Sequence, residues 1–169
     1  MSRPQPGEYN PFFERYIQQT KAQDAHSLMA ELGTVLENFY TSLPESKADY
    51  AYAPGKWTLK EVLQHVTDTE RIFSYRLLRV ARKDTTPLPS FEENDYVANA
   101  DANRRSFDAI KQEFLAVRRS SNLLIESLTE TQLSNKGVVS NTETSANAIA
   151  FILFGHLMHH KAVIEERYL

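Results

Sequence analysis

The sequence predicts an all-α protein, a four-helix bundle that forms one domain over residues 1–169 with its core from about residue 12 onward. Apolar residues recur at helical spacing in four long segments, and each segment carries one apolar stripe. The alternation of apolar and polar residues that is typical of strands is hard to find, and five glycines leave few signals for tight turns. A chain of 169 residues without an internal repeat has the usual size of one domain and can bury a substantial core.

The first helical segment covers residues 12–40. Its apolar positions lapse at residues 21–24, which predicts an interruption there. Pro44 ends the segment, because proline disfavours a helical conformation of the residue before it.

The second helix has the clearest start in the chain. Thr58 and Glu61 have the spacing of a capping box, and Trp57 can pack onto Val62 as a hydrophobic staple. An apolar stripe then continues to about residue 82, where charged residues and two prolines end the helix.

The remaining two helices are predicted over residues 97–128 and 144–168. The connections before them, residues 83–95 and 129–142, are each long enough to span the length of the bundle. One of them can therefore cross over the bundle instead of forming a tight turn between antiparallel neighbours.

Composition excludes several classes of function. The net charge is −3 at pH 7 and no block of Lys and Arg occurs, so we expect no nucleic-acid partner, because that binding depends on clustered cations. No apolar run approaches the roughly 20 residues of a membrane-spanning helix. The N-terminus lacks the features of a secretory signal, so we expect a cytoplasmic location without membrane association. The chain has no cysteine, which excludes disulfides, thiolate ligands and a cysteine nucleophile, and leaves His, Asp and Glu as candidate metal ligands.

Two histidines of the last helix lie where apolar residues are expected. His156 and His160 are four residues apart and fall near the middle of the apolar arc, the spacing at which two side chains can share one ion. A buried ring nitrogen without a partner costs about 1–3 kcal/mol, so the pair needs a shared explanation. The spacing alone leaves a metal site and an ordinary buried pair equally open, because the glutamate of an H-E-x-x-H motif is absent.

The other histidines are less clearly placed. His65 lies at the flank of the apolar arc of the second helix, where it is either an interfacial residue or half exposed. His159 lies at the edge of the arc of the last helix, and His26 has no partner at ligand spacing and is expected at the surface.

Two stretches of the chain resemble the DinB/YfiT-like superfamily of four-helix bundles. They are PGKWTLKEVLQHVTDTERIFSYRLLRVAR and GHLMHHKAVI, and the general layout fits from about residue 16 to residue 169. The resemblance implies a divalent metal ion, zinc or nickel, held by His65, His156 and His160. It also implies a crossover between the second and third helices, and a homodimer.

The activities that the resemblance implies are those of thiol S-transferases and hydrolases. The ion would activate a low-molecular-weight thiol or water against a small-molecule substrate, and no residue is diagnostic of a particular thiol. The alternative is a non-catalytic metal-binding bundle with a stress-response or interaction role.

Two side chains are weaker candidates for a catalytic role. Asp68 follows His65 by one turn, where it either accepts a hydrogen bond from that imidazole or, as the pattern favours, forms a surface or interhelical ion pair. His159 is either an acid–base group at the mouth of the site or a solvent-facing residue.

Three further features have structural and functional interpretations. Glu70 falls within an apolar stripe and needs a partner, which Arg71 or a residue of another helix could supply. Trp57 is expected to anchor its helix more than to stack on a ligand. Residues 90–96 form a solvated connection that could act as a lid.

Overall fold

A computed structural model describes residues 2–169, and four long helices form its bundle. The elements in chain order are α1 Glu14–Ile17, α2 Ala25–Thr41, α3 Leu59–Ala81, α4 Glu93–Ala100, α5 Phe107–Ser127, α6 Glu130–Leu133, β1 Lys136–Val139, β2 Thr142–Ser145 and α7 Ala146–Arg167. The bundle consists of α2, α3, α5 and α7, which confirms the predicted all-α class. Within residues 2–169, no helix is both long and apolar enough to cross a bilayer.

The predicted starts of the first two bundle helices are confirmed. The first segment is interrupted as expected, and Asp24 caps α2 by accepting a hydrogen bond from the Ser27 amide at 2.8 Å. Thr58 and Glu61 form the predicted capping box at the start of α3, with the Thr58 amide donating to Glu61 Oε2 at 2.7 Å.

The prediction of one helix over residues 97–128 is wrong, because two helices occupy this stretch. Asp101 adopts a left-handed conformation with φ of 49°, which ends α4. The Ser106 hydroxyl then accepts from the Ala109 amide and begins α5. The first three residues of α4, 93–95, therefore lie in the segment that was predicted as a polar connection.

The prediction also missed a β-hairpin before α7. Strands β1 and β2 pair antiparallel, and their turn residues Ser140 and Asn141 both have positive φ, 50° and 63°. Two such residues are typical of a type I′ turn, whose usual Asn-Gly or Asp-Gly signal is absent here. Leu88 forms a bridge with Val139, so the connection after α3 is attached to the hairpin.

The predicted crossover between the second and third bundle helices is confirmed. Both α3 and α2 pack against α5 and α7, so α2 and α3 occupy opposite corners of the bundle. Asn103 donates to Glu61 near the start of α3, and Arg71 further along α3 donates to Glu113 in α5. The later residue of α3 thus contacts the later residue of the segment that contains α5, so the two helices run parallel. The chain must therefore return the length of the bundle between them.

A buried ion pair connects α3 to α5. Glu70 Oε1 lies 3.1 Å from Arg118 Nη1, and both side chains are almost fully buried. The predicted partner on another helix is therefore confirmed, and Arg71 binds elsewhere. Burial raises the pKa of Glu70 and lowers that of Arg118, while the opposite charge of each counteracts this effect. Removing one member would leave a buried charge without a counterion.

One glycine allows the N-terminal segment to lie directly on α7. A Cβ atom at Gly155 would lie 2.0 Å from the carbonyl oxygen of Tyr16. Only hydrogen fits between these two backbones, so Gly155 determines how closely α1 and Tyr16 approach α7.

We expect Gly155→Ala to destabilise the protein by at least about 1–3 kcal/mol, because the added methyl group meets main-chain atoms that cannot rotate away. Urea unfolding measures the change. The matched control is Gly33→Ala, also within a helix, where a Cβ atom would lie 3.5 Å from Asn122 Nδ2. The control should be neutral or more stable by up to about 1 kcal/mol, because alanine favours helices. Equal stability of the two variants would contradict the close approach.

Candidate functional site

Three imidazoles from two antiparallel helices converge in the bundle interior. Nε2 of His65 on α3 lies 3.2 Å from Nε2 of His156 and 3.2 Å from Nε2 of His160, both on α7. One nitrogen from each ring lies within 4.8 Å of the others, so the three could hold one ion. The structure therefore brings together the three residues that the resemblance implied, and His65 is interfacial and buried. His26 does not belong to this cluster.

The three rings cannot satisfy one another by hydrogen bonding alone. A neutral imidazole has one N–H and one acceptor nitrogen, so Nε2 of His65 can donate to one neighbour or accept, but cannot do both. His160 Nδ1 is buried and has no hydrogen-bond partner among residues 2–169. A cation placed between the rings would accept all three lone pairs at once, so these residues fit a divalent metal ion.

Burial keeps the imidazoles neutral. Burial lowers the pKa of His65 from 6.5 to about 4. Burial and the neighbouring histidines hold the pKa of His156 and that of His160 well below the usual value. Neutral imidazole is the form that binds metal ions, so these ligands need lose no proton near pH 7.

A pocket of about 410 Å³ opens beside the three histidines. Its volume lies within the usual range of small-molecule sites, about 300–1,000 Å³. Much of its wall is aromatic, contributed by the N-terminal segment, by α3 with the residues just before it, and by the crossover: Phe12, Phe13, Tyr16, Trp57, Phe73 and Phe91. The site is therefore accessible to a molecule much larger than water.

His159 lies on the pocket wall and is half-buried, between the two positions predicted for it. Its ring centroid lies 5.5 Å from that of Tyr16 and 5.1 Å from that of His160. Burial and the neighbouring Arg15 lower the pKa of His159. An acid–base role at the mouth of the site stays a prediction.

Of the two interpretations of Asp68, the contact with His65 is not formed, whereas the ion pair is, with Arg71. The Asp68 carboxylate accepts from Gln64 at 3.0 Å and from Arg71 at 3.3 Å, and it lines a separate groove between α3 and α4. A residue three positions after His65 is rotated by about 300° around the helix, which directs Asp68 toward α4. Asp68 therefore does not serve as the carboxylate that often orients a metal-binding imidazole.

Trp57 has a larger role at the site than the sequence indicated. It lines the pocket, and its ring centroid lies 4.9 Å from that of His65. The Trp57 carbonyl also accepts from the Tyr168 hydroxyl at 2.8 Å, which attaches it to the end of α7. Part of the connection predicted as a lid also reaches the pocket, through Ser90, Phe91 and Glu93.

The pocket residues that were missed in the sequence include four polar or charged ones: Arg15, Tyr16, Thr69 and Arg76. The last two follow His65 at helical spacing on α3, a signal that could have identified them. Arg15 and Tyr16 offered no such signal, because they reach the site through tertiary packing of the N-terminal segment.

Comparison with known proteins identifies the family. A family model of the DinB superfamily matches residues 29–164. A protein from Oceanobacillus iheyensis, named provisionally as a metal-dependent hydrolase, is 26% identical over 148 residues, which cover 85% of this chain and 84% of that protein.

Two solved structures are similar in fold. YfiT from Bacillus subtilis, described as a probable metal-dependent hydrolase with an unusual four-helix bundle topology, is 17% identical with a TM-score of 0.71. The match covers 97% of this chain and 90% of YfiT. The mycothiol-dependent maleylpyruvate isomerase is 12% identical with a TM-score of 0.62, and the match covers 92% of this chain and 60% of the isomerase. At these identities the likeness concerns the fold alone.

We expect the free energy of unfolding of chelator-treated protein to fall as the pH is lowered from 6.5 toward 4. An imidazole in the unfolded chain takes up a proton near pH 6.5, whereas folded His65 does so only near pH 4. Between these values the unfolded chain binds more protons, so stability that is complete above pH 6.5 is lost on acidification. Urea midpoints measured across this range test the slope. His65→Gln should make the slope shallower without abolishing it, because the pKa values of His156 and His160 are lowered too. An unchanged slope in His65→Gln would contradict the assignment.

Proposed function

Because the chain belongs to the DinB superfamily and three inner imidazoles converge beside an accessible pocket, we propose that it is a divalent-metal-dependent enzyme. The observation that carries the proposal is the pair of 3.2 Å distances from His65 Nε2 to His156 Nε2 and His160 Nε2. Neutral nitrogen ligands from two helices form a preorganised site that leaves one side free, as catalytic zinc sites do.

The metal would be zinc or nickel, because imidazole ligands suit both ions. When bound, such an ion supplies Lewis-acid chemistry, lowering the pKa of coordinated water from 15.7 to about 7 or deprotonating a coordinated thiol. The protein's own contribution is to hold the three nitrogen atoms and to enclose the substrate among aromatic side chains. His159, on the pocket wall, would accept the proton that the nucleophile loses.

The nucleophile would be a low-molecular-weight thiol or water. The chain has no cysteine, so sulfur would have to come from a co-substrate. A pocket of about 410 Å³ offers room for one, whereas a single water needs only about 30 Å³. The size of the pocket supports the thiol, and the name of the Oceanobacillus protein, a metal-dependent hydrolase, supports water. A homodimer stays a prediction.

The competing function is a non-catalytic bundle in which the ion holds α3 and α7 together. The buried carbonyl contact of Tyr40 with Leu157 and the apolar core already attach α7 to its neighbours. A purely structural metal site needs no pocket beside it, so the aromatic pocket next to the histidines favours the enzyme.

We expect His160→Ala to lose stoichiometric zinc or nickel while its helix content stays close to that of the wild type. The variant removes one of three ligands but leaves the bundle core in place. Metal analysis after dialysis and circular dichroism measure the two properties. His159→Ala is the matched control, because its ring lies beside the cluster without joining it, and it should keep the metal. Retention of metal by His160→Ala would contradict the ligand set.

We expect the zinc- or nickel-loaded protein to consume an electrophilic reporter with an added thiol, or to hydrolyse an ester, and to lose this activity on chelation. A panel of small thiols and activated esters, assayed with and without metal, separates transfer from hydrolysis. His156→Ala should be inactive in the same assays. Absence of turnover, together with a large drop in melting temperature on chelation, would favour the structural role of the ion.

A further inference from the structure

Arg76 places a buried positive charge on the pocket wall without a carboxylate to neutralise it. The residue is 3% exposed. Its hydrogen bonds run from Nη2 to the Pro89 carbonyl at 2.5 Å and to Ser140 Oγ at 3.5 Å. Within residues 2–169, Nη1 and Nε donate to no protein acceptor, and no acidic side chain forms an ion pair with the guanidinium. The free edge of Arg76 therefore belongs to the pocket.

The other buried cations of the described chain have counterions. Arg118 pairs with Glu70 at 3.1 Å, and Lys60 pairs with Asp49 at 2.9 Å. Burying a charge is costly unless an opposite charge accompanies it, which explains those two pairs. For Arg76 the protein supplies the carbonyl and hydroxyl contacts, two aromatic rings, Phe73 at 5.3 Å and Phe91 at 5.6 Å, and the neighbouring Tyr96 side chain. None of these groups is a carboxylate. An anionic ligand would supply the counterion that the protein does not.

A line of pocket residues on α3 connects this cation to the histidine cluster. His65, Thr69, Phe73 and Arg76 follow one another at intervals of four, four and three residues, which puts them on one face of the helix. Thr69 Oγ1 is buried on this line and has no hydrogen-bond partner among the described residues. The Cα atoms of His65 and Arg76 are about 16 Å apart at 1.5 Å per residue. Both ends of this line border the same pocket, so one ligand in it can contact the two groups.

The rest of the pocket wall is consistent with an anionic ligand that has an apolar body. Arg15, a second wall residue, forms no ion pair in residues 2–169 and stacks on Phe12 and Tyr16 at 4.3 and 4.7 Å. The acidic member of the wall is Glu93, which is exposed. Two guanidinium groups against one exposed carboxylate leave an excess of positive charge before any metal is bound.

We propose that Arg76 is a substrate-specificity residue that binds the carboxylate of a small organic acid, whose apolar body lies along α3 and whose other end reaches the three histidines. Nη1 and Nε would donate the charge-assisted hydrogen bonds to the carboxylate, and the Thr69 hydroxyl is free to bind a polar atom along the body of the ligand. The inference deepens the proposed function and rests on it for the reaction at the histidine end. Binding of the carboxylate at Arg76 needs no metal ion, so the two can be tested separately.

The single tryptophan of the chain, Trp57, lines this pocket and reports binding by its fluorescence. The probes are 4-phenylbutyrate and its uncharged analogue 4-phenylbutyramide, titrated into zinc-loaded and into chelator-treated protein. We expect both forms of the wild type to bind the carboxylate about tenfold or more tightly than the amide, the difference that one charge-assisted pair supplies. Arg76→Gln should remove this preference, and Arg76→Lys should retain part of it.

Arg79→Gln is the matched control, because Arg79 lies on the same helix, pairs with Asp84 and does not line the pocket. It should keep the full preference, and circular dichroism with metal analysis checks that Arg76→Gln is folded and still binds zinc. Equal affinities of the wild type for the two probes would overturn the proposal. So would a preference that survives in Arg76→Gln, or one that disappears from the wild type on chelation, because the ion would then bind the anion. If the histidine variants lose the metal while chelator-treated wild type still prefers the carboxylate over the amide, the anion site at Arg76 and the metal site are independent.

Discussion

The antiparallel packing of α3 against α7 determines what this molecule can do. It directs three imidazole nitrogens toward one point in the bundle interior, where two of the distances are 3.2 Å. Neutral imidazoles have too few protons in suitable places to bond one another in this arrangement, and burial disfavours adding more. The geometry therefore costs stability in the metal-free protein and is relieved by a cation, which is the opposite of what an apolar core residue would do at the same positions.

The unusual order of the helices explains why a pocket lies beside this cluster. Because α3 and α5 run parallel, the chain must return along the bundle between them, and the returning segment carries Phe91 to the pocket wall. On the other side, Gly155 lets the N-terminal segment lie on α7, which brings Tyr16 to within 5.5 Å of His156, measured between ring centroids. Two segments outside the four bundle helices thus enclose the histidine cluster. A simple up-down bundle with short turns would have left the cluster without these walls.

The sequence predicted those features that depend on local patterns and missed those that depend on tertiary packing. The capping box at Thr58, the interruption before α2 and the shared face of His156 and His160 follow from spacing along one helix. The break at Asp101 and the hairpin at residues 136–145 were missed because the left-handed residues there are Asp, Ser and Asn without the glycine that usually marks such positions. The expected contact of Asp68 with His65 is not formed because Asp68 lies about 60° to one side of His65 around α3, on the side that faces α4, whereas Thr69 lies to the other side, in the pocket. The pocket residues Arg15 and Tyr16 could not be predicted. Their position depends on the close approach of the Tyr16 main chain to Gly155 on α7, which local sequence does not indicate.

The composition of α3 connects these observations. This one helix buries seven polar or charged side chains, whereas α7 buries only Asn147 and His156. The seven are Lys60, Gln64, His65, Thr67, Thr69, Glu70 and Arg76. Glu70 is explained by Arg118 on α5 and Lys60 by Asp49, so their charges are neutralised within the protein. His65, Thr69 and Arg76 are not explained in this way, and all three lie on the single face of α3 that lines the pocket. Buried polar groups without protein partners lower stability. Their concentration along one stripe is explained if ligands bind them, a cation at the His65 end and an anion at the Arg76 end.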